Sequence, residues 1–231
     1  MGLYVWLANE RHWILAGLAV IVVFLTTLAP LHDAMHRSLD LSPRFNSLVL
    51  TILGGLILES GHTLRATHIE HHRLYPAAVD PEAWLESSHW WRVALAGPSY
   101  RHNLACWTWR HRPNLRPLVA IEAAWSLGII AFAVLAGWRF PVVGLYVLLS
   151  VLGSWLFPLV SVIGVHRPGE SKPLRQARTV RGSVIPRLLL GQTYHLEHHL
   201  YPMVPSYRLG ALASRLDRNF EAAGLTIPRV L

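Results

Sequence analysis

The chain has 231 residues, of which 52% are apolar and only 15% charged, and its mean hydropathy is +0.33. A soluble domain carries about 25% charge, so this balance excludes an ordinary water-soluble globule, and so much apolar surface excludes disorder. One cysteine, Cys106, leaves no internal disulfide and no cysteine-rich zinc or iron–sulfur site. A formal charge of +8 would point to nucleic acid in a soluble protein. In a membrane protein it reflects Lys and Arg gathered on the cytoplasmic side, so the expected partner is the lipid bilayer and no nucleic acid is expected.

In chain order, Trp13–Leu31 comes first, with 19 uncharged residues against the roughly 20 that a bilayer crossing needs. No cleavage pattern follows it, so it reads as a span rather than a signal peptide. Phe45–Leu58 has 14 residues, about 21 Å of helix, and falls short of the ~30 Å hydrocarbon core. It reads as an interfacial or partly inserted helix that Gly54-Gly55 can bend back. Pro117–Gly137 is interrupted only by Glu122, and Phe140–Val165 is uncharged throughout. The two read as a helical hairpin with a tight turn at Trp138-Arg139. There is no repeat, no low-complexity tract and no evident strand. The expectation is an all-α membrane protein, a single domain over residues 1–231, built as a helical transmembrane bundle.

If residues 32–116 and 166–231 share one side, that side holds 19 of the 21 Lys and Arg, with only Arg11 and Arg139 opposite. The positive-inside rule then places both segments in the cytoplasm. Most of the ten tryptophans, Trp6, Trp13 and Trp138 among them, are expected at the headgroup level.

Eight of the fourteen histidines fall in three short clusters: His32 and His36; His68, His71 and His72; His195, His198 and His199. Residues i, i+3 and i+4 share a helix face, so each cluster can aim its imidazoles at a common point. Chance gives roughly 0.05 His-x-x-His-His matches in a chain with this many histidines; two are present. The hairpin between the second and third clusters crosses twice, so all three return to one face provided Phe45–Leu58 does not cross. Eight imidazoles exceed what one tetrahedral ion uses, which fits two metals. Iron bound this way can activate dioxygen for attack on an unactivated C–H bond, whereas zinc can act only as a Lewis acid or water activator.

At these residues the chain resembles the membrane-bound fatty acid desaturase superfamily of acyl desaturases, carotenoid hydroxylases and carotenoid ketolases. The resemblance runs from Trp13 to about Leu209. It rests on His32-Asp-Ala-Met-His36, on His68-Ile-Glu-His71-His72 with Asp80-Pro81-Glu82 downstream, and on Tyr194-His-Leu-Glu-His-His-Leu-Tyr-Pro202. It implies a di-iron centre facing the cytoplasm, ligated by the eight clustered histidines and by His166 at the end of the last span. It also implies dioxygen as cosubstrate. The chain has room for one span ahead of the first box where relatives usually have two. His-Asp-Ala-Met-His and Val165-His166-Arg-Pro-Gly169 are similar to carotenoid ring oxygenases, while Glu-His-His-Leu-Tyr-Pro is also common among acyl desaturases.

The leading expectation is therefore a di-iron, O2-dependent oxidoreductase acting on a long apolar substrate, a carotenoid ring or a fatty acyl chain. With no flavin, haem or ferredoxin module in evidence, electrons come from an external donor such as ferredoxin with its reductase. A non-enzymatic metal transporter is the contrasting reading, and it would spread ionisable groups through the spans. Among other residues, His62 reads as interfacial or as a partner of a metal ligand, and His12, His89, His102 and His111 as surface groups. Asp33, Glu70 and Glu197, inside the boxes, either orient imidazoles or face water. Glu122, inside a span, is either functional or an interhelical hydrogen-bonding group. The stretch Arg167–Arg187 is expected against lipid headgroups or an acidic electron donor, and Arg73, Arg92 and Arg101 would meet the phosphates of an acyl-CoA.

Overall fold

The computed structural model describes residues 1–170 and 172–230. It opens with a short helix α1 (Gly2–Asn9) that folds back on α2 (Trp13–His36), packing Tyr4, Leu7 and Ala8 against Ala16 and Val20. The Tyr4 hydroxyl donates to the Val142 carbonyl. α2 runs past the predicted end at Leu31 and carries the first histidine pair on its last turns. Pro30 removes only one backbone donor from a 24-residue helix, which packing on both sides sustains. The last carbonyls of α2 have no partners within the helix. Asn46 Nδ2 donates to Ala34 O at 2.9 Å and Arg65 Nε to Met35 O at 3.0 Å.

α3 (Pro43–Leu56) starts on a proline at its first position, where the missing N–H costs nothing. It is followed after four residues by α4 (Gly61–Leu74), bent 107° from it, with Ser60 accepting from the Thr63 amide as the cap. The two helices touch through backbone at the bend. A Cβ on Gly61 would lie 2.1 Å from Leu50 O, and one on Gly54 would lie 2.6 Å from the Gly61 nitrogen. The sharp return is thus built on the absence of side chains at these two positions.

α5 (Trp90–His111) mixes apolar and basic residues and lies outside every stretch expected from hydropathy. α6 (Arg116–Ala136) and α7 (Pro141–Pro158) form the hairpin, joined by residues 137–140, and α7 continues as a π-helical turn, Leu159–Gly164, that ends just before His166. Among the described residues, three helical segments are long and apolar enough to cross a membrane: Trp13–His36, Pro113–Ala136 and Pro141–Gly164. Their outward faces are apolar, as a lipid environment requires: Ile14, Leu18 and Val22 on α2, and Ile121, Leu127 and Leu135 on α6, are exposed. Trp6, Trp13 and Trp138 are exposed near the ends of these segments.

The rest of the chain is a set of short pieces: α8 (Pro173–Gln176), β1 (Arg181–Gly182), α9 (Ile185–Leu188), α10 (His195–Leu200), α11 (Ser206–Ala222) and β2 (Arg229–Val230). β1 and β2 pair in parallel over two residues each, Arg181 beside Arg229. This pairing, which hydropathy did not announce, is too short to add a layer to a helical protein.

Glu122 lies buried where α3, α4 and α6 meet. Its carboxylate accepts from Thr51 Oγ1 at 2.7 Å, Ser60 Oγ at 2.6 Å, His62 Nδ1 at 2.7 Å and the His62 amide at 3.3 Å. The second His62 nitrogen is 2.8 Å from Ser47 Oγ. His62 is therefore neither interfacial nor a partner of a metal ligand. Burial of a carboxylate is tolerable only when its lone pairs are satisfied, and here they tie the bent pair to the hairpin.

Replacing Gly61 by Ala is expected to lower stability in detergent by about 1–3 kcal/mol, because the added methyl meets a carbonyl that cannot withdraw. Gly128→Ala, where a Cβ meets nothing within 4 Å, should be neutral or stabilising by up to about 1 kcal/mol. Thermal unfolding of the two variants side by side checks the difference.

Candidate metal centre

The three clusters and His166 arrive at one place from four elements. His32 and His36 come from the end of α2, His68, His71 and His72 from α4, His166 from the end of the π turn, and His195, His198 and His199 from α10. One imidazole nitrogen of each of His32, His36, His68 and His198 lies within 4.8 Å of the others, and the same holds for His71, His166 and His199. The remaining two histidines join these sets. His72 Nε2 lies 2.8 Å from His198 Nε2 and 3.2 Å from His68 Nε2. His195 Nε2 lies 3.1 Å from His166 Nε2 and 3.0 Å from His199 Nε2. All nine predicted ligands are brought together.

The clusters do not each converge on one point, as helix-face reasoning alone would have it. His32 and His36 stay together, but the second and third clusters each divide between the two sets. His68 and His72 go one way and His71 the other; His195 and His199 go one way and His198 the other. At about 100° per residue, i and i+4 differ by roughly 40°, whereas i+3 lies roughly 100° from i+4. A His-x-x-His-His box on a helix is therefore a two-plus-one device, chelating one centre with the outer pair and reaching a second with the middle residue.

The contacts between ring nitrogens have the spacing that a cation would impose. His71 Nδ1 donates to Asp80 Oδ2 at 2.6 Å, His68 Nδ1 to Glu82 Oε2 at 3.2 Å, and His166 Nδ1 to the Val162 carbonyl at 3.1 Å. A neutral imidazole whose Nδ1 carries the proton presents a lone pair at Nε2. Yet His71 Nε2 and His166 Nε2, both rings held in that way, are 3.0 Å apart. Lone pairs pointed at each other repel unless a cation sits between them. Nitrogens bound at about 2.0–2.1 Å and about 90–110° apart around one ion lie roughly 2.8–3.4 Å from each other, the spacing seen here. His36 Nε2 is buried with no hydrogen-bond partner among the described residues, as a ligand nitrogen would be. Burial, and then the neighbouring imidazoles, hold His195, His198 and His199 well below the ordinary histidine value and His166 down to about 3. At neutral pH these rings are unprotonated, the form that ligates metal.

The carboxylates that orient the rings are Asp80 and Glu82, outside the boxes. Asp80 also accepts from the Glu82 amide at 2.8 Å, and Glu82 accepts from Thr67 Oγ1 at 3.0 Å. Asp33, Glu70 and Glu197 lie on other faces of their helices and hold the scaffold instead. Asp33 Oδ1 accepts from the Ser206 amide at 2.9 Å and hydroxyl at 2.7 Å, at the start of α11. Glu70 pairs with Arg73 and with Arg112, the latter at 2.9 Å. Glu197 pairs with Arg181 at 2.6 Å and accepts from Thr179 Oγ1 at 2.6 Å. Arg181, also 2.7 Å from Asp217, is buried, so it leaves the basic surface expected of Arg167–Arg187. Arg178 is exposed but donates to the His166 carbonyl at 3.0 Å. His12, His89, His102 and His111 are exposed, as are Arg73 and Arg92. Arg101 is not, and turns up in the wall of an internal cavity.

The family model for fatty acid desaturases matches residues 11–230. Among curated proteins, a beta-carotene ketolase of Paracoccus sp. strain N81106 is 30% identical over 215 residues, covering 89% of this chain and 77% of the ketolase.

Asp80→Ala is expected to lower metal affinity about 10–100-fold by releasing the His71 ring, whereas Glu70→Gln should leave it unchanged. Metal content after dialysis against a graded chelator measures both.

Proposed function

The chain belongs to the fatty acid desaturase family and is an oxidoreductase of that superfamily, and from that premise we propose that it is a multi-pass membrane di-iron oxygenase acting on C–H bonds of a carotenoid ring. The observation that carries this reading is a cavity of about 300 Å³ that joins the histidines to the apolar bundle. Leu25, Leu28 and Leu31 of α2 and Phe157 and Val160 near the end of α7 line it, and His32, His68, His166 and His195 close it. Those four imidazoles come from both sets. A cavity at the small end of the range for ligand sites takes one end group of a long apolar molecule and leaves the remainder among the helices or in the lipid.

In this reading His32, His36, His68, His72 and His198 hold one iron and His71, His166, His195 and His199 the other. Two irons bound there supply dioxygen activation and hydrogen abstraction from an unactivated carbon. The chain's own residues do the rest. Asp80, Glu82 and the Val162 carbonyl fix the tautomers of His71, His68 and His166, so that the Nε2 of each is ready to ligate. The aliphatic walls exclude water and hold the end group against the imidazoles, so position decides which carbon reacts. Electrons arrive from an external carrier such as ferredoxin with its reductase, for which the exposed Lys172, Arg175 and Arg187 offer charge complementarity. Family membership displaces the transporter reading.

The proposed topology places residues 32–116 and 166–231 in the cytoplasm. The contact between His32 and His68 supports it, because α3 and α4 must begin and end at the same level for rings 36 residues apart to meet. In a chain with Cys106 replaced by Ser, cysteines introduced at Ser38 and Ser87 should both label from the inner side. Labelling from opposite sides would refute the shared level.

Expression with β-carotene, ferredoxin and a reductase should yield oxygenated carotenoids, and His198→Ala should abolish them and lower metal content while membrane insertion persists. Unchanged pigments together with new double bonds in the host's fatty acids would establish the acyl desaturase activity instead.

A further inference from the structure

The cavity is not uniformly apolar. Arg101 of α5 lines it, and its Nη2 is buried with no hydrogen-bond partner among the described residues. The guanidinium is charge-paired, with Nε 3.1 Å from Glu59 Oε1 but out of line for a hydrogen bond, and its carbon stacks 5.0 Å from the Phe157 ring centre. Thr193, two residues before His195, lines the same cavity, and its hydroxyl is likewise buried and unpartnered. Leaving a buried donor unmade costs more than the bond itself returns. Two such groups lining one cavity call for an acceptor from outside the chain.

We propose that Arg101 and Thr193 act as oxygen-binding donors of the cavity wall, a subsite that selects apolar molecules already carrying a hydroxyl or carbonyl oxygen. The inference rests on the cavity being the substrate site. A hydrocarbon end group would leave both donors unmet, whereas an oxygenated one satisfies them. Glu59 keeps the guanidinium neutralised in low dielectric without occupying Nη2, so Arg101 is available to a neutral acceptor and does not demand an anion. The same chemistry is offered by a partly oxidised carotenoid ring and by the carbonyl of a fatty acyl ester. Arg101 thus determines specificity as part of the cavity lining.

The test is a pair of competitions in lipid nanodiscs, measured as ligand retained by the full-length protein above empty discs. One pair is β-carotene and its 4-keto derivative; the other is an alkane and the methyl ester of the fatty acid of equal length. Each pair differs only by oxygen. The wild-type chain should favour the oxygenated member of at least one pair about tenfold, the worth of one hydrogen bond from a charged donor. Arg101→Met should bring that ratio to about one and Thr193→Val should lower it about threefold. The double variant Glu59→Gln, Arg101→Met guards against misfolding from an orphaned Glu59 and should match Arg101→Met. Equal retention of both members of both pairs by the wild type, or a wild-type ratio in folded Arg101→Met, would overturn the subsite while leaving the cavity's role intact. Retention of neither member of either pair would overturn the substrate site itself. Preference confined to the ester pair would assign the subsite to acyl chains and set aside the carotenoid reading.

Discussion

Nine imidazole nitrogens pointed at a common volume are a constraint that nothing in the chain alone can relax. With their Nδ1 protons committed to Asp80, Glu82 and a backbone carbonyl, the rings His71, His68 and His166 turn lone pairs inward, and those of His71 and His166 meet. The fold is arranged around this meeting point. α2 is extended past its apolar stretch to deliver two rings, α4 is bent back to deliver three, and α7 ends in a π turn so that His166 follows directly. Bundle packing supplies the energy that holds like dipoles together, and a bound cation converts the repulsion into attraction.

Hydropathy and spacing made much of this legible. The three long apolar stretches stand as helices within a few residues of their expected ends, apart from α2, and Phe45–Leu58 is a helix from Pro43 to Leu56. Histidine spacing picked out the rings that converge because a helix turns the pattern into geometry. What it missed is what depends on long-range partners. His62 and Glu122 are 60 residues apart, and each alone reads as an anomaly; together with Thr51 and Ser60 they are a satisfied network. Asp80 and Glu82 reach their histidines across a turn, where no helical period applies. The acidic pair closely following the second box is the signal that could have found them. α5 escaped notice because Arg92, Arg101 and Arg110 break up its apolar residues along the sequence.

Two classes of carboxylate emerge from the same sequence. Those inside the boxes, Asp33, Glu70 and Glu197, alternate with histidines along helices and so point away from the rings, toward Ser206, Arg112 and Arg181. Those outside face the rings. Proximity in sequence to a ligand is thus a poor guide to which acid orients it, because adjacent residues on a helix lie on different faces.

The third box sits on α10, six residues long, far below the length at which a helix stands unaided in water. Its shape is borrowed: from Arg181 and Thr179 gripping Glu197, and from the start of α11, moored to Asp33 on the first long helix. During synthesis the first two boxes emerge more than a hundred residues before the third. The last part of the chain therefore behaves as a clasp, and the centre can close only when translation of the clasp is complete. Until then the half-built site offers five imidazoles, and six once His166 has emerged, to whatever cation is at hand, which makes the timing of metal delivery part of the folding problem.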